Sequence, residues 1–507
     1  MDRALLKGAG ATTLISIANI VIGLVFQSVL ASRLGASRVA DLYSAGVTVP
    51  TIFATAVLTA IPVTFTPRLI RAAEGPAPAD MREVLRRSVR PAGLLVGLNL
   101  VLAWPLSRGF APEAGSASRH SLLIFLLILS PVPALAWVSG VAQAVAYVRR
   151  HYAAAAFAPV ANGIVLLAGF LLLPKHPGLV GLGVVTLLGY LGQVAWLRRY
   201  LASDPASVTS SEPAFSIRPT MILIGSSLVY KATPAAERLV GAFGAAGVPA
   251  ALGFSGKIAQ GLGLVAAFGL SLVAVPSLST LLVRGEQREV EQFLSRMLRL
   301  TVLVSVAVCA LAVLTAPYVI RVLYGRGAFD VKAEHVTTVL LLGYLPYVLL
   351  VTFAGPLTSL LYAAGEARRP AVVGLGGFVV ASVSSYALSS LLGPIGIVLG
   401  SGLGALLTFL VFARMIRVVL PGWRWAELIK DLCAPVLLLM AACGAVLALR
   451  LAVLPDLPAR GHIVALLSEA VAVTLVFSAM VLVGLRLSGT DPRRYIAGRP
   501  AEMGKST

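Results

Sequence analysis

Apolar segments long enough to cross a bilayer recur along the whole 507-residue chain. A helix rises about 1.5 Å per residue, so a hydrocarbon core about 30 Å thick needs about 20 apolar residues. Fourteen segments fit, near 11–31, 40–66, 91–108, 121–147, 153–173, 178–197, 219–243, 250–276, 298–318, 336–362, 371–392, 394–416, 432–454 and 463–485. In lipid, each must satisfy its backbone N–H and C=O groups internally, which here means a helix. Only 12% of the residues are charged and 58% are hydrophobic, whereas soluble domains carry about 25% charge. The predicted class is all-α integral membrane with about 14 transmembrane helices. The first segment follows Arg3 and Lys7. It is too long for the apolar region of a signal peptide, so a retained helix is expected.

The net charge of +20 invites a nucleic-acid reading, but its distribution argues for topology instead. Loops on the side of the N-terminus hold 28 Lys and Arg, the opposite loops hold 10, and 3 lie inside apolar segments. That bias is the positive-inside rule, and it predicts both termini in the cytoplasm. No nucleic-acid partner is expected; anionic membrane lipids are. Cys309, Cys433 and Cys443 all lie in apolar segments without metal-ligand spacing, so no metal is expected. The chain lacks a phosphate-binding Gly-rich loop with its Lys-Ser/Thr. His120, His151, His176, His335 and His462 stand at or beyond segment ends without paired carboxylates. No catalytic constellation can be assembled from them, so the chain reads as a non-enzyme without cofactors.

Landmarks repeat at intervals of about 210 residues. The second and eighth segments each end with a proline before a basic loop, at Pro67 and Pro276. The fourth leads to Arg149-Arg150 and the tenth to Arg368-Arg369. The sixth and twelfth open on Gly178-Leu-Val-Gly181 and Gly393-Pro-Ile-Gly396. These landmarks suggest two six-helix lobes in parallel repeat, 1–200 and 219–420, joined by a polar cytoplasmic linker over 201–218. Residues 421–490 carry an appended helix pair, with Trp423 and Trp425 suited to the interface, and 491–507 form a basic cytoplasmic tail.

Lys231, Arg238 and Lys257 are the cations inside apolar segments. Each costs about 2.5–3.5 kcal/mol at a bilayer centre on insertion scales, so each needs a cavity, a partner or a substrate. On a continuous helix Lys231 and Arg238 fall within about 20° of one another. Lys231 would lie about 18 Å below the membrane face near Phe243 and Arg238 about 8 Å below it. Together they suggest a positively charged chamber and an anionic cargo. Asn19 and Gln27 put polar groups on one face of the first helix. Asp41, Glu237 and Glu469 are candidates for charge partners or ion coupling. Asp41 can equally serve as a helix N-terminal acid, and Glu469 can hydrogen-bond a neighbouring helix. Pro50 and Pro234 are hinge candidates, and Pro234 is expected to interrupt its helix beside Lys231.

Four ordered motifs carry a resemblance. They are Leu34-Gly35-Ala36 with Asp41, Val49-Pro50 and Pro67; Glu237-Arg238 through Gly247 to Phe254-Ser-Gly-Lys257; Pro276-Ser-Leu-Ser279; and Tyr324-Gly-Arg326-Gly327-Ala-Phe329. The chain resembles the MurJ (MviN) family of lipid II flippases, within the multidrug/oligosaccharidyl-lipid/polysaccharide exporter superfamily, over about residues 10–420. The resemblance implies a cavity between lobes and alternating access. The implied cargo is an undecaprenyl phosphate- or pyrophosphate-linked glycan, lipid II or a relative. It also implies a groove for the isoprenoid tail on helices 13 and 14, a place in the bacterial cytoplasmic membrane, and cell-wall synthesis machinery as partners. Membrane potential, H+ or Na+ would drive transport. The chain departs from the family in its first helix, where Ile20 and Phe26 stand at two arginine positions. In the second helix, Ala54-Thr55 replaces an arginine pair, and Lys257 takes the place of an arginine. A cation-coupled antiporter of the same superfamily, a membrane glycosyltransferase or polymerase, and a non-transporting envelope scaffold are the alternatives.

Overall fold

The computed structural model describes residues 3–74, 81–112, 115–201, 218–267, 278–366, 368–453, 458 and 462–487. The linker at 202–217, Pro276 and the tail at 491–507 lie outside the described residues. Among the described residues every element is helical. The helices are α1 (Arg3–Leu34), α2 (Arg38–Glu74), α3 (Met81–Gly109), α4 (Ser116–Ile128), α5 (Val132–Val148), α6 (Tyr152–Leu172), α7 (Leu179–Leu201) and α8 (Arg218–Lys231). They continue as α9 (Thr233–Gly241), α10 (Val248–Ala267), α11 (Gln287–Tyr324), α12 (Val331–Ala363), α13 (Arg368–Leu392), α14 (Pro394–Val419), α15 (Trp425–Val453) and α16 (Ile463–Leu487).

Thirteen spans are long and apolar enough to cross a membrane among the described residues. The fourteenth expected span is the seventh, which is divided into α8 and α9. Its break falls at Ala232, and Pro234 stands in the first turn of α9. Proline lacks an N–H and its ring clashes with the carbonyl four residues earlier, so the ladder ends where the sequence places it. A second break was not expected. The fourth span divides at Leu129–Pro131 into α4 and α5, with Pro131 and Pro133 flanking the new helix start. Pro50 behaves differently: α2 runs unbroken from Arg38 to Glu74, with Pro50 buried inside it. The structure therefore has no break at the hinge expected there.

Contacts divide the chain into one unit of residues 1–253 with 327–329 and another of 254–326 with 330–507. This differs from the expected lobe boundary at 201–218. Helices α8 and α9 pack along α2, and the first turn of α10 is held by α2 as well, so 218–253 group with the first unit. Within that unit α1 packs on α6, α2 on α5, and α6 on α7. Its core includes an aromatic cluster in which Phe26 meets Phe170 and Tyr43, and Tyr43 meets Phe125.

In the second unit α13 and α14 pack closely because small residues face each other. The Ser385 hydroxyl donates to the Ile397 carbonyl (2.6 Å) and the Ser384 hydroxyl to that of Gly400 (3.0 Å). The appended pair, α15 and α16, packs on α11 through Ala310, Leu314, Leu439, Ala442, Val446, Val473 and Phe477.

Candidate substrate-binding site

Lys231 is the last residue of α8, at the break in the seventh span. Its ammonium donates to the Thr59 hydroxyl (3.0 Å) and the Thr55 carbonyl (3.3 Å) on α2. The Thr59 hydroxyl in turn donates to the same Thr55 carbonyl (2.7 Å). Thr51, Thr55 and Thr59 are spaced four apart and so share one face of α2. Thr55 and Thr59 are exposed on that face. Among the described residues no carboxylate pairs with Lys231; its partners are a hydroxyl and a carbonyl. The cation is thus oriented but not neutralised. Sequence reasoning missed the threonine stripe, although its spacing was visible.

Arg238 faces the same helix nearer its start. Nε donates to the Ser44 hydroxyl (3.2 Å), and Nη1 donates to the Pro234 carbonyl (2.9 Å). The Ser44 hydroxyl donates to the Pro249 carbonyl (2.9 Å). Arg238 therefore ties the first turn of α9 to α2 and, through Ser44, to α10. Two of its donors are already engaged in holding these elements together. Lys231 and Arg238 both point at α2, at levels 11 residues or more apart along it.

Asp41 lies 3% exposed in the first turn of α2. Its carboxylate accepts from the amides of Gly247 (Oδ2, 2.8 Å) and Ala250 (Oδ1, 2.9 Å) at the start of α10. A helix N-terminus leaves its first N–H groups without intrahelical partners and carries partial positive charge. Asp41 supplies both acceptors across 206 residues of sequence. It is a helix N-terminal acid, as one expectation had it, but the helix it serves is α10 as well as its own.

A further contact joins two of the motifs that carry the family resemblance. Gly35 and Gly327 both have left-handed φ, 59° and 62°. A Cβ at Gly327 would overlap the Ser32 carbonyl, and one at Gly35 would overlap the Ala328 carbonyl. The Ala328 amide donates to that Ser32 carbonyl (2.9 Å). The Gly-Ala turn after α1 and the Gly327-Ala-Phe329 loop thus meet backbone to backbone, with Phe329 fully buried.

The remaining candidates are placed as follows. Glu237 is buried in α9. Lys257 is on α10 in the second unit, where its ammonium donates to Gln260 Oε1 (3.3 Å). Asn19 and Gln27 are part-exposed on α1. Of the two residues that the resemblance sets at arginine positions, Phe26 is 6% exposed within the aromatic cluster and Ile20 is part-buried. Glu469 lies on the packed stripe of α16 between Leu466 and Val473, and its Oε2 has no hydrogen-bond partner among the described residues. Among the described residues no group of His, Cys, Asp and Glu could hold a metal ion.

The family model described as "Lipid II flippase MurJ" matches residues 30–457. Among solved structures, the chain is similar to a lipid II flippase MurJ in an inward closed conformation. The TM-score is 0.73 at 15% identity, over 94% of this chain and 99% of that one. It is also similar to a multidrug resistance MATE family transporter of the MOP superfamily in an inward-facing conformation, at TM-score 0.64 and 14% identity, over 81% and 96% of the chains. The same comparison with an outward-facing MATE transporter gives TM-score 0.56 at 15% identity, over 82% and 97%. No curated protein sequence matches at a significant level. Motifs, fold and family model agree, and the chain belongs to the MurJ family of lipid II flippases.

Proposed function

We propose that the chain moves an undecaprenyl-linked, phosphate-bearing cell-wall precursor, lipid II or a close relative, across the bacterial cytoplasmic membrane by alternating access. The work is transport, with no bond made or broken in the cargo. The observation that carries the proposal is Lys231. A cation at a break within a span, held by α2 groups that leave its charge uncompensated, is suited to receive an anionic oxygen. Lys257 is a further cation available to the cargo on α10, and Asn19 and Gln27 are polar groups available to it on α1. Arg238 acts as a positioning residue, because it is engaged with Ser44 and Pro234.

The break between α8 and α9 is the hinge of this reading. The two six-helix segments form a parallel repeat; Gly365 follows Arg150 by the same interval that separates Gly393 from Gly178, and both turns have the same form. Both termini lie in the cytoplasm, where synthesis of the precursor would present it and where cell-wall enzymes would dock. Membrane potential, H+ or Na+ supplies the driving force. Asp41 is a poor coupling group, since both its oxygens accept from amides; Glu469 is the better one.

Reconstituted protein tests the proposal. Vesicles containing lipid II in one leaflet should lose their asymmetry with the wild-type chain and lose it about 10- to 100-fold more slowly with Lys231→Ala. Depletion in the native host should accumulate an undecaprenyl-linked glycan on the cytoplasmic leaflet. If purified protein moved no such lipid and none accumulated, the flippase assignment of this chain would fail.

A further inference from the structure

We propose that the turn between α5 and α6, together with the end of α7, binds the headgroup of an anionic glycerophospholipid. The His151 amide donates to the Ala146 carbonyl (2.8 Å) and the Arg150 amide to that of Tyr147 (3.0 Å). This bond pair closes a Schellman C-cap, whose left-handed residue is usually glycine. Here it is Arg150, at φ 60°, the only non-glycine residue with positive φ among the described residues. The turn after α12 has the same bonds, from Glu366 to Leu361 (2.9 Å) and from Gly365 to Tyr362 (3.1 Å), and a glycine at the left-handed place. The turn therefore forms without arginine. A residue with a Cβ is strained there, and what the chain keeps in exchange is a guanidinium at that point.

The surroundings fit a phosphate. Arg149, Arg150 and His151 are exposed, as are Arg198 and Arg199 at the end of α7. The His151 ring meets Tyr200 edge-on at 5.7 Å, and Arg199 lies over Tyr200 at 5.0 Å and over Trp196 at 5.7 Å. Phe157 packs on Trp196 at 4.6 Å, and Trp196 Nε1 donates to the Ala154 carbonyl (3.0 Å). The cations thus gather round an aromatic floor. Between Glu83 and Asp204 the sequence has a single acidic residue, Glu113. Two spans end at this patch, Ser116–Val148 and Leu179–Tyr200, and a third, Tyr152–Leu172, begins there.

Arginine forks bind phosphate oxygens in two parallel hydrogen bonds. Tryptophan and tyrosine at a span end sit at headgroup level, and basic clusters there attract anionic lipids. A lipid fits better than a free anion, because the floor continues along the spans as exposed apolar surface: Trp196 is 40% exposed, and Ile164, two turns from Phe157 on the same face of α6, is 47% exposed.

The test titrates the full-length protein in detergent with phosphatidylglycerol or phosphatidylcholine and counts bound lipid by native mass spectrometry. At about 1 kcal/mol per arginine, Arg149→Gln with Arg150→Gln should weaken phosphatidylglycerol binding roughly 30-fold. Arg86→Gln with Arg90→Gln removes the same charge from the exposed face of α3 and should change it less than about threefold. Arg150→Gly relieves the left-handed strain, so it should melt no lower than wild type and still lose affinity. That separates loss of charge from loss of fold. Equal losses in the two double variants, wild-type affinity in Arg149→Gln with Arg150→Gln, or displacement of the lipid by millimolar inorganic phosphate would each overturn the proposal.

Discussion

Replacing Asp41 by asparagine should release the first turn of α10. The carboxylate accepts from Gly247 and Ala250 through separate oxygens, at 2.8 and 2.9 Å, and is 3% exposed. Asparagine keeps one acceptor. Its NH2 group then faces the other amide, donor against donor, and a buried N–H loses its partner. A hydrogen bond to a charged group contributes about 1.5–3 kcal/mol, and the carboxylate's interaction with the helix N-terminus adds about 0.3–1 kcal/mol. The sum is about 2–4 kcal/mol. Hydrogen exchange reads it directly, because local opening governs exchange of these two amides. At about 1.4 kcal/mol per tenfold, they should exchange roughly 30- to 1,000-fold faster in Asp41→Asn than in wild type. Amides deep in α11, such as that of Leu314, should be unchanged. If Gly247 and Ala250 exchanged within about threefold of wild type, the clasp would not be holding α10, and the reasoning would be wrong.

Gly327→Ala places a Cβ onto the Ser32 carbonyl at a left-handed φ; it should cost at least about 2 kcal/mol and lower the melting temperature, while Gly355→Ala, where nothing lies within reach of a Cβ, should not. Lys231→Ala should reduce lipid flipping about 10- to 100-fold, the worth of a charge-assisted bond, with Lys231→Arg retaining part of it. Phe26→Arg puts a charge between Phe170 and Tyr43, whose rings lie 5.6 and 6.4 Å from that of Phe26; it should destabilise the protein by about 3 kcal/mol or more, seen as loss of monodisperse protein in size-exclusion chromatography. Arg33→Ala removes donors from the Phe170, Leu171 and Leu173 carbonyls at the end of α6; thermal melting should register about 1–3 kcal/mol.

The spans were legible because bilayer thickness sets a length that any apolar run either meets or does not. The break beside Lys231 was legible for a local reason, the missing N–H of Pro234. The same logic failed at Pro50, which α2 accommodates, and overlooked the Pro131–Pro133 break in the fourth span. A proline's consequence depends on whether neighbouring helices supply packing that holds the ladder straight, and that is not local information. The site was legible only in part. Lys231 and Arg238 stood out by their cost in lipid, but their partners, Thr55, Thr59 and Ser44, are ordinary residues more than 170 positions away. The role of Asp41 was hidden in the same way. Its partners are backbone amides, which leave no mark in the side-chain sequence.

The motifs that identify the family and the residues proposed to grip the cargo have different physical jobs. Gly35, Asp41, Arg238, Gly247 and Gly327 are fixed by backbone: two turns in contact, a helix start capped, a carbonyl satisfied. Each admits few alternatives, since a Cβ or a lost acceptor has nowhere to go. A cargo-facing cation is constrained by where charge is needed and by its cost in lipid, and not by a backbone contact of this kind. Phe26 fills an aromatic cluster, and the cation nearest a helix break is Lys231 in the seventh span. The clasp at the start of α10 is thus set by backbone geometry, whereas Lys231 is set by a hydroxyl and a carbonyl on α2 that leave its charge open.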